Sequence, residues 1–140
     1  MSWWQMLLYP FSLLFNLITW LRNISYDMQP NRAIHFDANV IVIGNLAIGG
    51  TGKTPMVDYL IKYFHSHDQH VATLSRGYGR KSIGFRIANV RDTPDTMGDE
   101  PYMYYQKYLG QVPVAVCGQR DLAITELLGT YPQLRAILMD

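Results

Sequence analysis

The chain has 140 residues, enough for one domain with a buried core, and hydrophobic side chains make up 49% of them. Charged residues account for 16%, and the formal net charge is only +1. A chain with this balance has no general electrostatic attraction for nucleic acid, so we expect no nucleic-acid partner. Any recognition of phosphate must therefore come from a local arrangement of residues.

An apolar segment opens the chain. Residues 1–22 contain no charged side chain before the final arginine, and a helix of about 20 such residues could cross a hydrocarbon layer of roughly 30 Å. Trp3, Trp4 and Trp20 lie near its two ends, where indole rings favour a membrane interface. Pro10 would bend the helix. The pattern predicts a membrane-associated helix, either spanning or interfacial. The alternative is an apolar helix docked on the protein's own core.

After a predicted connector over residues 23–38, short apolar runs alternate with amphipathic segments. These runs predict core strands over residues 39–44, 71–74, 112–117 and 135–139 and a shorter, outer strand over residues 83–87. Helices are expected to begin near Pro55, at Gly98-Asp99 and at Asp121. Strands alternating with helices predict an α/β domain over residues 39–140, with a parallel sheet flanked by helices.

A glycine-rich segment, Gly49-Gly50-Thr51-Gly52-Lys53-Thr54, follows the first predicted strand. Glycines let backbone N–H groups approach phosphate closely, and the helix that follows adds a favourable dipole. Lys53 would reach the β- and γ-phosphates, and the Thr54 hydroxyl would ligate Mg²⁺. The strict pattern has glycine where this chain has Ala47. The segment predicts a P-loop NTPase-like site for ATP and Mg²⁺, whose ATP-binding residues are Ala47, Ile48, Gly49, Gly50, Thr51, Gly52, Lys53 and Thr54.

Three further segments are polar at the ends of predicted elements. Asp140 follows an apolar strand, as the metal-side carboxylate of P-loop domains does. The segment Ser75-Arg76-Gly77-Tyr78-Gly79-Arg80 follows another strand, and its arginines could bind phosphate or form a solvated basic turn. Asp99 and Glu100 form a pair of carboxylates at a predicted helix start. One of them could be a general base, although helix capping is the role that the residues alone favour.

Taken in order, these motifs resemble the tetraacyldisaccharide 4′-kinase family, which phosphorylates the 4′-hydroxyl of a lipid disaccharide 1-phosphate in lipid A biosynthesis. The resemblance rests on Gly49 to Pro55, Leu74 to Gly79 and Gly98 to Pro101. It implies that Asp99 is the catalytic carboxylate, which reverses the preference for capping. The further roles that it implies are catalysis for Lys53, metal binding for Thr54 and Asp140, and substrate binding for Arg76, Gly77, Tyr78 and Arg120.

The resemblance also implies a setting. The partners would be a glycolipid substrate and the inner-membrane lipid surface, and the location would be the cytoplasmic face of the bacterial inner membrane. Members of the family continue beyond the position of Asp140 with a second Asp, a His and a further lobe, so we expect residues 1–140 alone to be catalytically inactive. The alternative function is a non-catalytic nucleotide switch or carrier ATPase at the membrane.

Overall fold

The computed structural model describes residues 3–28, 34–45, 50 and 52–140, which form two units, Met1–His35 and Phe36–Asp140. The first unit contains helix α1 (Trp3–Asp27), which extends five residues past the predicted end and includes Pro10. The side chains described on α1 are largely exposed, Phe11 and Phe15 to 69% each. Among the helices of the described residues none has the length and apolarity needed to cross a bilayer, and that includes the helix predicted over residues 1–22.

The second unit is built on a five-stranded sheet in the order β1-β5-β2-β4-β3. Its strands are β1 (Asn39–Val42), β2 (Val71–Ser75), β3 (Arg86–Ile87), β4 (Val114–Val116) and β5 (Ala136–Met139). Four of them are parallel, so their carboxyl ends meet at one edge of the sheet. This arrangement confirms the predicted α/β fold.

The prediction of a wholly parallel sheet is wrong at β3. This strand lies at the outer edge, as predicted, but it pairs antiparallel with β4. The reason is the connection from β2, which contains no crossover helix: the chain turns back through residues 76–85 and returns in the opposite direction. The sheet is therefore mixed.

Helices cover both faces of the sheet. On one face, side chains of α2 (Lys53–Ser66) and α4 (Asp99–Tyr108) pack on alternate residues of the central strands. On the other, α5 (Arg120–Thr130) packs on the intervening residues through Ala123, Ile124 and Leu127. A short helix that the sequence did not predict, α3 (Pro94–Met97), precedes α4. Strands buried on both faces explain why their sequences are continuously apolar.

Helices α2 and α4 are joined by two tyrosines spaced four residues apart. The Tyr104 hydroxyl lies 3.3 Å from the carbonyl oxygen of Thr54, and the Tyr108 hydroxyl lies 3.3 Å from that of Asp58. Because both pairs advance by four residues, the helices run in the same direction in register. Their amino-terminal ends are therefore neighbours.

Asp58 strengthens the same contact. Its carboxylate accepts hydrogen bonds from Tyr108 at 2.7 Å and from Lys107 at 2.7 Å, both on α4. Lys62, one turn further along α2, lies 2.9 Å from it. Burial would raise the pKa of Asp58, but these hydrogen bonds outweigh it and hold the pKa well below its usual range. The carboxylate therefore stays ionised and keeps the two helices together.

A buried carboxylate organises the segment before α4. Asp92 has a fully buried side chain, and it accepts hydrogen bonds from Arg86 Nε at 2.5 Å, Thr96 Oγ1 at 2.8 Å and the Asn89 N–H at 3.0 Å. Burial alone would raise the pKa of Asp92, but these donors lower it below its ordinary value of 3.8. The network ties β3 to α3, and the carboxyl end of α3 leads directly into α4.

We expect Asp92→Ala to lower the free energy of unfolding by about 2–4 kcal/mol, because three hydrogen bonds to a charged acceptor are lost. The pKa of Asp92 is lowered on folding, so its contribution is fully present above its ordinary pKa of 3.8. It is lost as the pH falls through the lowered pKa of the folded state. Urea unfolding at pH 7 and at successively lower pH values measures both effects.

Asp95→Ala is the matched control, since Asp95 lies in the same segment and pairs with Lys81 at 2.9 Å. That pair is exposed, with 67% of the Asp95 side chain accessible, and we expect a loss below about 1 kcal/mol. Equal losses for the two variants would contradict the assigned importance of Asp92.

Candidate functional site

The candidate site lies at the edge where the four parallel strands end. The P-loop segment follows β1, and residues 76–80, here called the Arg76 loop, follow β2. Arg120 follows β4 and Asp140 follows β5. Parallel α/β sheets bind their ligands at this edge, because the connections there rise from neighbouring strands. Four of the predicted segments thus converge through the topology of the sheet.

The described part of the P-loop leads into α2 as predicted, although the helix begins two residues before Pro55. Gly52 precedes the helix with φ 84°, a left-handed conformation that favours glycine, and Lys53 and Thr54 form the first turn. Gly50 is also described and is exposed. Four of the predicted ATP-binding residues lie outside the described residues: Ala47, Ile48, Gly49 and Thr51.

A hydrogen bond joins α2, the P-loop helix, to α4, the acidic helix that begins with Asp99 and Glu100. The Thr54 hydroxyl donates to Glu100 Oε1 at 2.5 Å, and the Tyr104 hydroxyl lies 3.1 Å from the same oxygen. Tyr104 is buried, and burial together with the neighbouring Glu100 charge raises its pKa far above the usual value. The tyrosine therefore stays protonated at neutral pH, and its hydroxyl donates a hydrogen bond to Glu100. Glu100 is held in place by two hydroxyl donors from two helices.

Asp140 completes the acidic cluster. Burial and the nearby Glu100 carboxyl raise the pKa of Asp140 to about 6, and the Lys53 charge opposes this shift. The Arg120 guanidinium donates to the carbonyl oxygen of Asp140 at 2.5 Å. The structure thus brings Lys53, Thr54, Glu100 and Asp140 to one place, three of which the sequence predicted as site residues.

Asp99 occupies a different position from its neighbour. The cap residue of α4 is Gly98, so Asp99 is the first helical residue, with an exposed side chain. Successive helical residues are rotated by about 100°, and only Glu100 faces α2. Asp99 remains available to a ligand at the start of the helix, as a general base requires.

The Arg76 loop packs directly on the start of α4. Gly98 has φ 91°, and a β-carbon there would lie 3.0 Å from the carbonyl oxygen of Tyr78. A β-carbon at Gly77 would lie 2.9 Å from the carbonyl oxygen of Met97. Only glycine fits at either position, because the two backbones touch. The glycines of both motifs therefore place the loop beside Asp99.

The two arginines of this loop have different roles. Arg80 folds back on the loop and β4, donating to the carbonyl oxygens of Gly84 at 2.8 Å and Val116 at 3.5 Å. It is a structural residue, so the suggestion that both arginines bind phosphate is not supported for Arg80. Arg76 is exposed, and so is Tyr78, to 98%. Both side chains are accessible to solvent on the loop whose backbone packs on the start of α4.

Two polar atoms at this edge are buried without a hydrogen-bond partner in the part of the chain that the structure describes. They are Ser75 Oγ, at the end of β2, and Arg120 Nε. Burying a polar group without a partner is costly, so such atoms indicate where a ligand or water belongs. Arg120 thus holds the end of β5 with one nitrogen and keeps a second one buried beside the same edge.

The donor set of the acidic cluster fits a hard divalent cation. Thr54, Glu100 and Asp140 offer only oxygen atoms, and burial together with the neighbouring Glu100 carboxyl raises the pKa of Asp140. Among the described residues, no group of three or more His, Cys, Asp or Glu side chains is arranged to hold a metal. Two carboxylates and a hydroxyl nevertheless suit Mg²⁺, which takes its remaining ligands from phosphates and water.

Glu100 and Tyr104 are the residues that the sequence analysis missed. The sequence pattern offers Glu100 only as one of a pair with Asp99, and Tyr104 only as part of a helix. A signal was present, since Glu100, Tyr104 and Tyr108 are spaced by four residues and share one face of a helix. The sequence did not indicate that this face meets the P-loop helix.

Comparison with known proteins is consistent across sequence and structure. Residues 4–140 match the model of a family described as tetraacyldisaccharide-1-P 4′-kinase. A tetraacyldisaccharide 4′-kinase of Flavobacterium johnsoniae is 45% identical over 134 residues, which are 96% of this chain and 39% of that protein. One of Cytophaga hutchinsonii is 40% identical over 136 residues, which are 97% of this chain and 38% of that protein.

A crystal structure of the "apo" form of LpxK from Aquifex aeolicus in complex with ATP is also similar. It superposes with a TM-score of 0.73 at 34% identity, and the match covers 94% of this chain and 42% of that one. The chain thus spans about two fifths of the length of the relatives that it matches.

We expect Asp140→Asn to raise the melting temperature at pH 7 in the absence of nucleotide and metal. A carboxyl whose pKa rises from 3.8 to about 6 on folding binds a proton more strongly in the folded state, so stability falls as the pH rises between those values. At pH 7 the substitution removes the cost of burying a charged carboxylate and its repulsion by Glu100. A gain of about 4 °C corresponds to roughly 1 kcal/mol in a domain of this size.

The gain should shrink at pH 4.5, where the pKa of about 6 leaves Asp140 largely protonated. Asp121→Asn, at an exposed acid in the first turn of α5, serves as the control and should show no gain that depends on pH in this way. The same gain at both pH values would show that ionisation of Asp140 is not its cause.

Proposed function

This chain belongs to the tetraacyldisaccharide-1-P 4′-kinase family, and we propose that it supplies the nucleotide-binding part of an ATP-dependent lipid-sugar kinase. The reaction transfers the γ-phosphoryl group of ATP to the 4′-hydroxyl of a tetraacyldisaccharide 1-phosphate, a step in lipid A biosynthesis. The observation that carries the proposal is the hydrogen bond of 2.5 Å between Thr54 and Glu100. It joins a phosphate-binding helix start to a helix start that presents Asp99.

The proposed chemistry assigns one task to each side chain. Lys53 and the start of α2 stabilise the negative charge of the phosphates. Asp99 accepts the proton of the 4′-hydroxyl as its oxygen attacks the γ-phosphorus in line. The new O–P bond forms while the bond from the γ-phosphorus to the bridging oxygen breaks, and ADP leaves with that electron pair. Phosphoryl transfer of this type depends mainly on positioning and electrostatics.

We assign the metal site to Thr54, Glu100 and Asp140. Mg²⁺ bound there would neutralise charge on the β- and γ-phosphates. The protein's own contribution is the spacing of its oxygens, fixed by the hydrogen bond from Thr54 to Glu100 and by the hold of Arg120 on Asp140. Burial and the Glu100 carboxyl raise the pKa of Asp140, and a cation bound there would offset both effects by stabilising the ionised carboxylate.

The glycolipid would be bound beside Asp99. Arg76 and Tyr78 are exposed on the loop whose backbone packs on Gly98, the residue before the proposed base. An arginine can bind the substrate phosphate and a tyrosine can stack on a sugar ring. Gly77 serves this site by allowing the close approach of the loop. The Arg120 guanidinium adds positive charge at the same edge, and its buried Nε has no hydrogen-bond partner among the described residues.

A chimeric enzyme tests the kinase proposal. Residues 4–140 of this chain replace the corresponding segment of the Flavobacterium johnsoniae relative, and phosphate transfer from labelled ATP to the disaccharide 1-phosphate is measured against the unmodified relative. We expect transfer to the 4′-hydroxyl. Lys53→Ala should reduce the rate by about 10²–10³, and Asp99→Ala by about 10²–10⁴.

Asp95→Ala is the control for these two variants, because its exposed ion pair lies outside the proposed machinery. A chimera that binds ATP but transfers no phosphate to the lipid, and whose partner binding changes with the nucleotide, would instead support the nucleotide switch. A chimera in which Lys53→Ala and Asp99→Ala keep full activity would refute the assigned roles.

We further propose that α1 holds the protein to the cytoplasmic face of the inner membrane, where the lipid substrate is available. Its exposed side chains support this proposal, since Phe11, Phe15, Leu14 and Ile18 are each more than half accessible. Burying such side chains among lipid tails contributes about 1.5–3 kcal/mol apiece. A contiguous group of exposed apolar side chains is typical of a surface that binds a membrane or another protein.

Vesicle sedimentation tests this attachment. Replacing Phe11 and Phe15 by Ser should lower the partition coefficient into phosphatidylethanolamine–phosphatidylglycerol vesicles at least about 10-fold. The matched control replaces Tyr59 and Tyr63 by Ser, because these aromatic side chains are also exposed but lie on α2. Equal losses for the two double variants would show that α1 has no special part in lipid binding.

A further inference from the structure

The buried tyrosine between the two helices contacts the groups assigned to the metal site. The Tyr104 hydroxyl lies 3.1 Å from Glu100 Oε1 and 3.3 Å from the carbonyl oxygen of Thr54, and only 2% of the residue is accessible. The Thr54 hydroxyl donates to the same Glu100 oxygen at 2.5 Å. One carboxylate oxygen thus receives two hydroxyl groups, one from each helix.

The direction of the Thr54 proton matters for binding a cation. A hydroxyl carries one proton and two lone pairs, and it can ligate a metal only if a lone pair faces the ion. The Thr54 hydroxyl donates its hydrogen bond to Glu100, so the lone pairs of the hydroxyl are left free to face the phosphate site. Glu100 therefore orients Thr54, provided that its own side chain stays in place.

Glu100 needs support to do this, because a glutamate has several rotatable bonds and loses conformational entropy when it is fixed. Tyr104 provides that support with a rigid ring packed in the core and a hydroxyl aimed at the carboxylate. Groups behind metal ligands commonly act in this way, and their removal typically costs 10- to 100-fold in metal affinity.

We infer that Tyr104 is a positioning residue for the metal end of the phosphate site, acting through Glu100 on the Thr54 hydroxyl. The inference rests on the proposed nucleotide and Mg²⁺ site, and it adds a residue whose contacts with that site come only from the protein interior. It assigns Tyr104 no contact with ATP or with the lipid.

The chain offers a matched control in Tyr108. This residue lies one turn further along α4 and makes the equivalent contact with α2, donating to Asp58 at 2.7 Å. Tyr104→Phe and Tyr108→Phe each remove one hydroxyl from the same helix interface and keep the ring. Only the first of them removes a hydrogen bond to Glu100.

The experiment measures binding of an ATP analogue with a nitrogen in place of the β–γ bridging oxygen, which resists phosphoryl transfer. Calorimetric titrations of the 140-residue chain are run in excess Mg²⁺ and in excess EDTA. The readout is the dissociation constant in EDTA divided by the dissociation constant in Mg²⁺. We expect Tyr104→Phe to reduce this ratio at least about 10-fold and to leave the affinity in EDTA unchanged. Tyr108→Phe should keep the ratio of the unchanged chain.

A double-mutant cycle checks that the effect passes through Glu100. In a Glu100→Gln background, Tyr104→Phe should change the Mg²⁺ ratio less than 2-fold, because the carboxylate that it positions is no longer there. Melting temperatures of the two tyrosine variants without ligand show whether both proteins remain folded to the same extent.

Four results would overturn the inference. Weaker binding of Tyr104→Phe by the same factor in Mg²⁺ and in EDTA would indicate a purely structural role. Equal changes of the Mg²⁺ ratio in Tyr104→Phe and Tyr108→Phe would do the same. If the unchanged chain bound the analogue equally well with and without Mg²⁺, the proposed metal site would be refuted but the proposed P-loop site would not. Absence of any binding would instead refute the proposed nucleotide site, and the inference with it.

Discussion

The candidate site depends on the register between the P-loop helix and the acidic helix. Tyr104 and Tyr108 of α4 meet Thr54 and Asp58 of α2, and the spacing of four residues is the same on both sides. A shift of one residue along either helix would move a side chain by about 1.5 Å and turn it by about 100°. Glu100 would then no longer meet Thr54. The tyrosine contacts are therefore what bring two distant motifs together.

The two ends of this helix pair are electrostatically opposite. At the Asp58 end, two lysines and a tyrosine surround one carboxylate, and its pKa is held well below the usual range. At the other end, burial and a second carboxyl raise the pKa of Asp140 to about 6. The first end stabilises the fold, whereas the second carries an unfavourable accumulation of charge. Such a cost is typical of a binding site, where the ligand supplies the missing charge.

The fold and the site were predictable to different degrees. The core strands were predictable because burial on both faces demands continuous apolar runs, and the P-loop because glycines, Lys53 and Thr54 stand between a strand and a helix. The antiparallel direction of β3 was not, since two residues of strand carry no sign of their direction. Helix α3 was missed because four residues are too few for a helical period.

The sequence by itself determined which chemical groups this protein has: a phosphate loop, arginines between glycines, and a pair of carboxylates before a tyrosine-rich helix. Only the tertiary structure decided how these groups divide their tasks. Asp99 and Glu100 are neighbours in the chain, but a helix turns them about 100° apart, so one faces α2 and the other faces solvent. Which of them does so depends on how α4 packs, and that packing is set by contacts 50 residues apart in sequence.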